Sequence, residues 1–188
     1  MLGGNNIHYE LSERVRGIPH GGIGAIHMLV TQLGLIQSLH KYVKLLKQNR
    51  PYHESDHILN IAYNILCGGK TLDDIELLRN DLVHLDALGV QSIPDPTTAG
   101  DFCRRFEPET IQALQDAINW IRLKVWKSQP STFTEKTARI DTDGSLVGTL
   151  GECKEGMDIS YHGIWGYHPG AITLYSFRWR IRKNLCTY

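Results

Sequence analysis

The sequence predicts a mainly helical N-terminal region followed by the first strands of a sheet. Three observations carry this reading. Apolar residues recur at helical spacing between about residues 25 and 127. A polar, small-residue stretch, SQPSTFT, then occupies positions 128–134. From Ala138 onward the apolar positions alternate instead, which is the period of a strand.

The first helix is expected over about 25–47, where Leu35, Ile36, Leu39, Tyr42, Val43 and Leu46 share a face and Asn49-Arg50-Pro51 forms a stop. Residues 1–24 are polar and glycine-rich and predict no firm element. Ile58, Ile61, Ile65 and Leu66 mark a second helix, with Ser55 as the expected N-cap and Gly68-Gly69 as its end. Thr71 and Asp74 have capping-box spacing and open a short third helix, TLDDIELLRN. A fourth is expected from Thr97 or Thr98, after Asp95-Pro96. The clearest helix begins with Pro108 in its first turn and places Ile111, Leu114, Ile118, Ile121 and Val125 on one side. Beyond the linker, ARIDTD alternates like a strand, GTLGECKEGMD is a glycine-rich connection, and AITLY is a second strand.

The composition, 41% hydrophobic and 21% charged, is that of a chain with a real core. Its 188 residues leave room for one ordinary domain, or a small domain and part of another. There is no run of eighteen apolar residues for a membrane span. The opening MLGGNNIHYELSER has no apolar core of a secretory signal, so a cytoplasmic location is expected. Twenty basic residues balance twenty acidic ones, so any nucleic-acid contact must use local patches. Cys67, Cys103, Cys153 and Cys186 lack CxxC spacing and read as reduced thiols.

The chemistry is concentrated in IDTDGSLV, where Asp141 and Asp143 stand two apart behind an apolar residue, with Gly144 and Ser145 directly after. The motif resembles the first motif of the haloacid-dehalogenase phosphatases. That resemblance would make Asp141 the nucleophile and Asp143 the acid/base. It also demands a downstream Lys and further carboxylates on a large doubly wound sheet, and fewer than fifty residues follow the motif.

The longer block IDTDGSLVGTLGECKEGMDISYHGIWGYHPGAITL resembles the first catalytic block of DDE-type insertion-sequence transposases. YHESDHILNIAYNILCGGKTLDDIELLRND and IPDPTTAGDFCRRF resemble the helical region that precedes the catalytic domain in one branch of that group. The resemblance covers about residues 25–174. The resemblance implies a helical region over 1–134, the start of a truncated α/β RNase H-like domain over 135–175, and a divergent basic tail over 176–188. It implies metal-dependent hydrolysis and strand transfer at element ends, with Mg²⁺ or Mn²⁺ as cofactor. The implied partners are element DNA and either a second copy or an intact transposase, on a bacterial nucleoid. Asp143, with Ser145 two residues on, fits the first catalytic and metal-ligating position, and Asp141 is the alternative.

Two ions about 4 Å apart need several converging hard carboxylates. The family's second Asp and its Glu have no counterpart here, because Glu152, Glu155 and Asp158 follow within the next loop. After Leu174 the text departs into YSFRWRIRKNLCTY, as a frameshift or early stop would leave it. An inactive fragment that does not hold the ions stably is therefore expected, leaving a DNA-binding or oligomerisation module as the alternative function.

Other motifs are weaker. His53-Glu54-Ser55-Asp56-His57 matches HExxH. Zinc sites need both histidines on one face of a formed helix. Pro51 and the expected Ser55 cap instead place the string across a helix start, so surface histidines are expected. ILCGGKTLDDIELLRN has a helix-turn-helix rhythm, but TLDDIE is acidic where phosphates would approach. TTAGDFCRRF offers Thr98, Arg104 and Arg105 as candidate DNA contacts. Arg178, Arg180, Arg182 and Lys183 form the densest basic cluster and read as a read-through tail.

Overall fold

The computed structural model describes residues 19–47, 51–134, 138–149, 155–176 and 179–187. The chain divides into two compact units, 1–125 and 126–188.

In the first unit the single helix expected over 25–47 is two: α1 (Ile23–Leu33) and α2 (Leu35–Tyr42). The break is Gly34, whose φ of 79° is left-handed backbone that glycine adopts without a Cβ clash. Its N–H closes α1 by bonding Thr31 and Val30 carbonyls. The apolar period runs on through the break, so the sequence pattern conceals it.

The second helix, α3 (Glu54–Leu66), starts one residue before the expected Ser55 cap. His53 is its N-cap, and its N–H donates to Asp56 Oδ2 at 2.8 Å, the reciprocal half of a capping box. Gly68, at φ 89°, follows its end, as Gly68-Gly69 predicts.

The Thr71–Asp74 box forms as expected, and Asp74 Oδ2 accepts from Lys70 N, Thr71 N and Thr71 Oγ1 at 2.8–3.0 Å. It opens a 3₁₀ turn, Leu72–Asp74, that runs into α4 (Ile75–Arg79). A helix absent from the sequence reading follows, α5 (Leu82–Leu88), capped by Asp81 through Val83 N and His84 N. Next comes α6 (Pro96–Cys103), which begins at Pro96 rather than Thr97 or Thr98 because Asp95 supplies the cap. The longest element is α7 (Pro108–Lys127), in which only Ala117 and Ile121 are buried.

Two clusters hold this unit together. Ile23, Leu59, Tyr63, Ile75, Leu78, Leu85, Leu88, Ile93 and Ala99 form the larger, drawn from α1 and α3–α6. Each buried aliphatic contributes roughly 1.5–3 kcal/mol by leaving water. Leu39, Val43 and Ala117 form the smaller, and Ser38 Oγ ties α2 to α7 by donating to the Ala117 carbonyl at 3.1 Å.

The second unit contains one helical turn, α8 (Ser131–Thr134), inside the stretch expected to be linker. Among the described residues six strands follow: β1 (Ala138–Gly144), β2 (Val147–Gly148), β3 (Asp158–Ile159), β4 (Trp165–Tyr167), β5 (Gly170–Ser176) and β6 (Trp179–Thr187). They form two three-stranded antiparallel sheets, ordered β1-β5-β6 and β2-β4-β3. The strands expected at ARIDTD and AITLY are β1 and β5.

The expected tail boundary at 176 falls inside a sheet, since β6 pairs along β5 with one irregularity between Leu174 and Ser176. The two sheets also share one register. Pairing runs from Ala138↔Ser176 to Gly144↔Gly170, then resumes without a slip at Val147↔Tyr167 and Gly148↔Gly166. A bond from Ser145 N to the Pro169 carbonyl, 3.0 Å, spans the gap. Residues 138–148 and 166–176 are therefore one long antiparallel ribbon. A Cβ on Gly166 would stand 2.4 Å from the Val147 carbonyl oxygen, so the pairing near its tip requires glycine there.

Candidate functional site

Asp141 and Asp143 lie on β1, opposite Thr173 and Ala171. Residues two apart on a strand share a face, so both acids belong to one side of the ribbon. Both are exposed, as are Ile140 and Thr142 on the other side, with Ile140 64% exposed. The segment is a strand with both acids exposed, an arrangement not prearranged for a metal or a phosphate. Among the described residues no group of three His, Cys, Asp or Glu side chains could hold a metal ion. Glu155 and Asp158 do not join the two aspartates, and Glu152 lies outside the described residues. Two carboxylates on one strand do not fit a two-ion site, which needs further ligands to bridge and orient both ions.

The helical candidates converge on a cleft of about 190 Å³ between α3 and α6. Its walls are Leu46, Pro51, Tyr52, His57, Thr98, Asp101, Phe102 and Arg105. Of the three residues proposed for DNA contact, Thr98 and Arg105 line it and Arg104 does not. The Thr98 hydroxyl donates to Asp95 Oδ2 at 2.7 Å and its N–H to Oδ1 at 2.9 Å, so its proton serves the helix cap. These two bonds hold the Asp95 carboxyl below its usual range. Arg104 is paired with Asp101 one turn earlier. Arg105 has no carboxylate partner among the described residues and is exposed at the cleft.

The HExxH string has a different role from either sequence reading. His53 is exposed and extended at the N-cap, with φ −90° and ψ 167°, so the two histidines do not project from one turn of formed helix. Glu54 is buried, and its Oε1 accepts from Leu45 N at 3.2 Å and Leu46 N at 3.1 Å. Burial pushes its carboxyl up, but bonds from Leu46, its own backbone and Leu45, with the Lys44 charge, pull it further down.

His57 is not the surface histidine expected: it is 4% exposed and stacks on Phe102 at 4.5 Å between ring centroids, 11° from parallel. Tyr52 meets it edge-on at 5.9 Å. Burial lowers its pKa; Asp56 opposes this, and the Arg105 charge adds to it. Its Nδ1 is sealed from solvent without a hydrogen-bond partner. The sequence reading missed Tyr52, His57 and Phe102 as walls of this cleft. HExxH marked His57 only by a pattern whose helical premise fails here.

The helix-turn-helix run places acidic Asp73 and Glu76 on the exposed surface, with Glu76 paired to Arg79 at 3.4 Å. That charge disfavours close phosphate approach, as its sequence suggests. Of the basic tail, Arg178 lies outside the described residues, and Arg180, Arg182 and Lys183 occupy β6 positions. Among the described residues no helix is long and apolar enough to cross a membrane.

No protein-family model, curated protein or solved structure matches the chain.

Proposed function

We propose that this chain combines the helical DNA-contact region and the first catalytic strand of a DDE-type insertion-sequence transposase, and that it holds DNA without cutting it. The observation that carries the reading is the placement of Asp141-Thr142-Asp143-Gly144-Ser145. The motif lies at the end of the first strand after a helical block, with both acids exposed on one side. An RNase H-like start accounts for that order of elements. The antiparallel pairing of β1 with β5 favours this reading over the phosphatase one, whose first strand belongs to a mostly parallel doubly wound sheet.

DNA contact is assigned to Arg105 and Arg104 on the surface around α6, with Arg105 the stronger candidate because no carboxylate among the described residues neutralises it. Thr98 positions α6 through Asp95 and contributes at most an acceptor. Catalysis is withheld because Asp141 and Asp143 make up too few of the ligands that two ions require. The chain is then a binding module of its family, able to occupy element ends or to pair with an intact enzyme.

The test is a titration of duplexes taken from the DNA flanking the gene, read by fluorescence anisotropy with and without Mg²⁺. Saturable binding that weakens in an Arg104→Gln/Arg105→Gln variant, with no nicked product, supports the proposal. Absence of binding refutes DNA contact, and specific nicking lost in Asp143→Ala refutes the inactive assignment.

A further inference from the structure

His57 has a chemistry that its packing does not explain. A buried histidine ordinarily spends both ring nitrogens on partners, because an unmet polar group in the interior is costly. Here Nδ1 is enclosed and unpartnered, and no hydrogen bond engages either ring nitrogen among the described residues. An orphaned N–H is rarer in interiors than an orphaned acceptor. The burial of Nδ1 therefore assigns the proton of the neutral ring to Nε2. The ring is held rigidly between Phe102, stacked on its face, and Tyr52 at its edge. It lines the same cleft as Arg105, whose guanidinium is exposed and has no carboxylate partner among the described residues.

We propose that the α3–α6 cleft is an oxyanion seat in which the Nε2–H of His57 and the guanidinium of Arg105 together bind one phosphate group. A neutral imidazole donor and a fixed cation suit a tetrahedral oxyanion, since charged and neutral donors then meet different oxygens. The cleft volume of about 190 Å³ accommodates a phosphate with part of what it esterifies. Asp101 stands on the same wall and would repel an anion, but Arg104 offsets its charge. Thr98 can add only a lone pair, because its proton is given to Asp95. The phosphate is either free or part of a DNA backbone. In the second case the seat rests on the DNA-binding reading and gives it a fixed register, since a phosphate held by two converging donors orients the duplex.

The experiment uses the full chain labelled with ¹⁵N at histidine and follows the imidazole signals by NMR. Inorganic phosphate is the first probe, and the His57 signals are assigned by their loss in His57→Phe. A saturable shift of those signals that disappears in Arg105→Gln is the expected result. Arg105 lies on the surface, so that variant tests the seat even where His57→Phe is poorly folded. No saturable shift, or one unchanged in Arg105→Gln, overturns the proposal. A short DNA duplex is the second probe, with phosphate as competitor. Displacement of the duplex from the His57 signals assigns the seat to backbone phosphate, and a response to phosphate alone supports a free-phosphate seat. Duplex binding by anisotropy with silent His57 signals toward both probes refutes the seat and leaves the DNA-binding reading standing.

Discussion

At the scale of single residues, the first unit contains buried ionisable groups, among them His57, His84 and Glu54, whose packing makes testable demands. A histidine whose folded pKa is lowered stays neutral while the unfolded chain takes up a proton below pH 6.5, so stability is lost as pH falls from 6.5 toward the folded value. His57→Phe should preserve the stack on Phe102, remove the orphaned nitrogen and stabilise the fold by about 1 kcal/mol. It should also flatten the pH dependence below 6.5. His84, buried and lowered for the same first reason, keeps part of that slope. Urea midpoints measured across the acid range check both points, and a variant less stable at neutral pH would show that Nδ1 has a partner.

Glu54 has the carboxylate sign. Its folded pKa is lowered from 4.5, so its contribution is present above 4.5 and is lost as pH falls through the lower folded value. Glu54→Gln should cost about 1 kcal/mol at neutral pH, because the amide oxygen still accepts but without charge. It should also remove part of the loss seen in acid. Neither role was legible in the sequence. HExxH fixes residue types, whereas the enclosure of Glu54 by residues 45–46 and of His57 by α6 depends on contacts outside the string.

Among elements, what the sequence revealed and concealed follows from how local each signal is. The Thr71–Asp74 box, the Pro108 start and the alternation of ARIDTD are short-range and appear as written. Gly34 is the opposite case. The apolar faces of α1 and α2 continue one period, and only the left-handed φ of 79° separates them. Gly34→Ala should destabilise the unit by roughly 1–2 kcal/mol, the cost of a Cβ in that conformation. Helix content by circular dichroism should stay nearly constant while the denaturation midpoint falls. An unchanged midpoint would mean that the break is not needed.

Leu82–Leu88 escaped notice because seven residues give barely two repeats of a helical pattern, though Asp81 was a legible cap. The cleft at α3–α6 was half legible. TTAGDFCRRF supplied Arg105, but the Thr98 hydroxyl belongs to Asp95, and nothing in the quoted stretches marks Tyr52 and Phe102 as walls of the cleft. In the β-ribbon, the shared face of Asp141 and Asp143 was written in the alternation, whereas the common register through Val147↔Tyr167 depends on pairing partners about 20 residues apart.

On the scale of the whole molecule, charge and ligand number decide what DNA binding can look like. Twenty cations balance twenty anions, so there is no long-range positive field to gather a polyanion. On the proposed reading, binding comes from the cations near α6 that have no carboxylate partner among the described residues, since Arg104 is already shared with Asp101. Counterion release scales with the number of phosphates neutralised, with a slope of about −0.9 per contact in log affinity against log salt. One or two contacts predict a slope of roughly −1 to −2, shallower by about one in Arg105→Gln. A slope several times steeper would place the binding surface elsewhere, with the basic positions of β6 the next to vary.

Mg²⁺ should change that affinity only as a competing counterion does, and not through an ion held by the protein. It gives up its waters reluctantly and needs near-octahedral oxygen ligation. Asp141 and Asp143, exposed side by side on β1, offer two carboxylates with no third ligand grouped beside them among the described residues. Phosphoryl transfer depends on holding the attacking and leaving oxygens in line, and an ion held by one or two exposed carboxylates does not fix either. The chain incubated with end-bearing duplex and Mg²⁺ or Mn²⁺ should therefore yield no nick above background, and Asp143→Ala should bind DNA as the parent does. Metal-dependent nicking that Asp143→Ala abolishes would mean that the missing ligands are supplied, by residues outside those described or by a second copy.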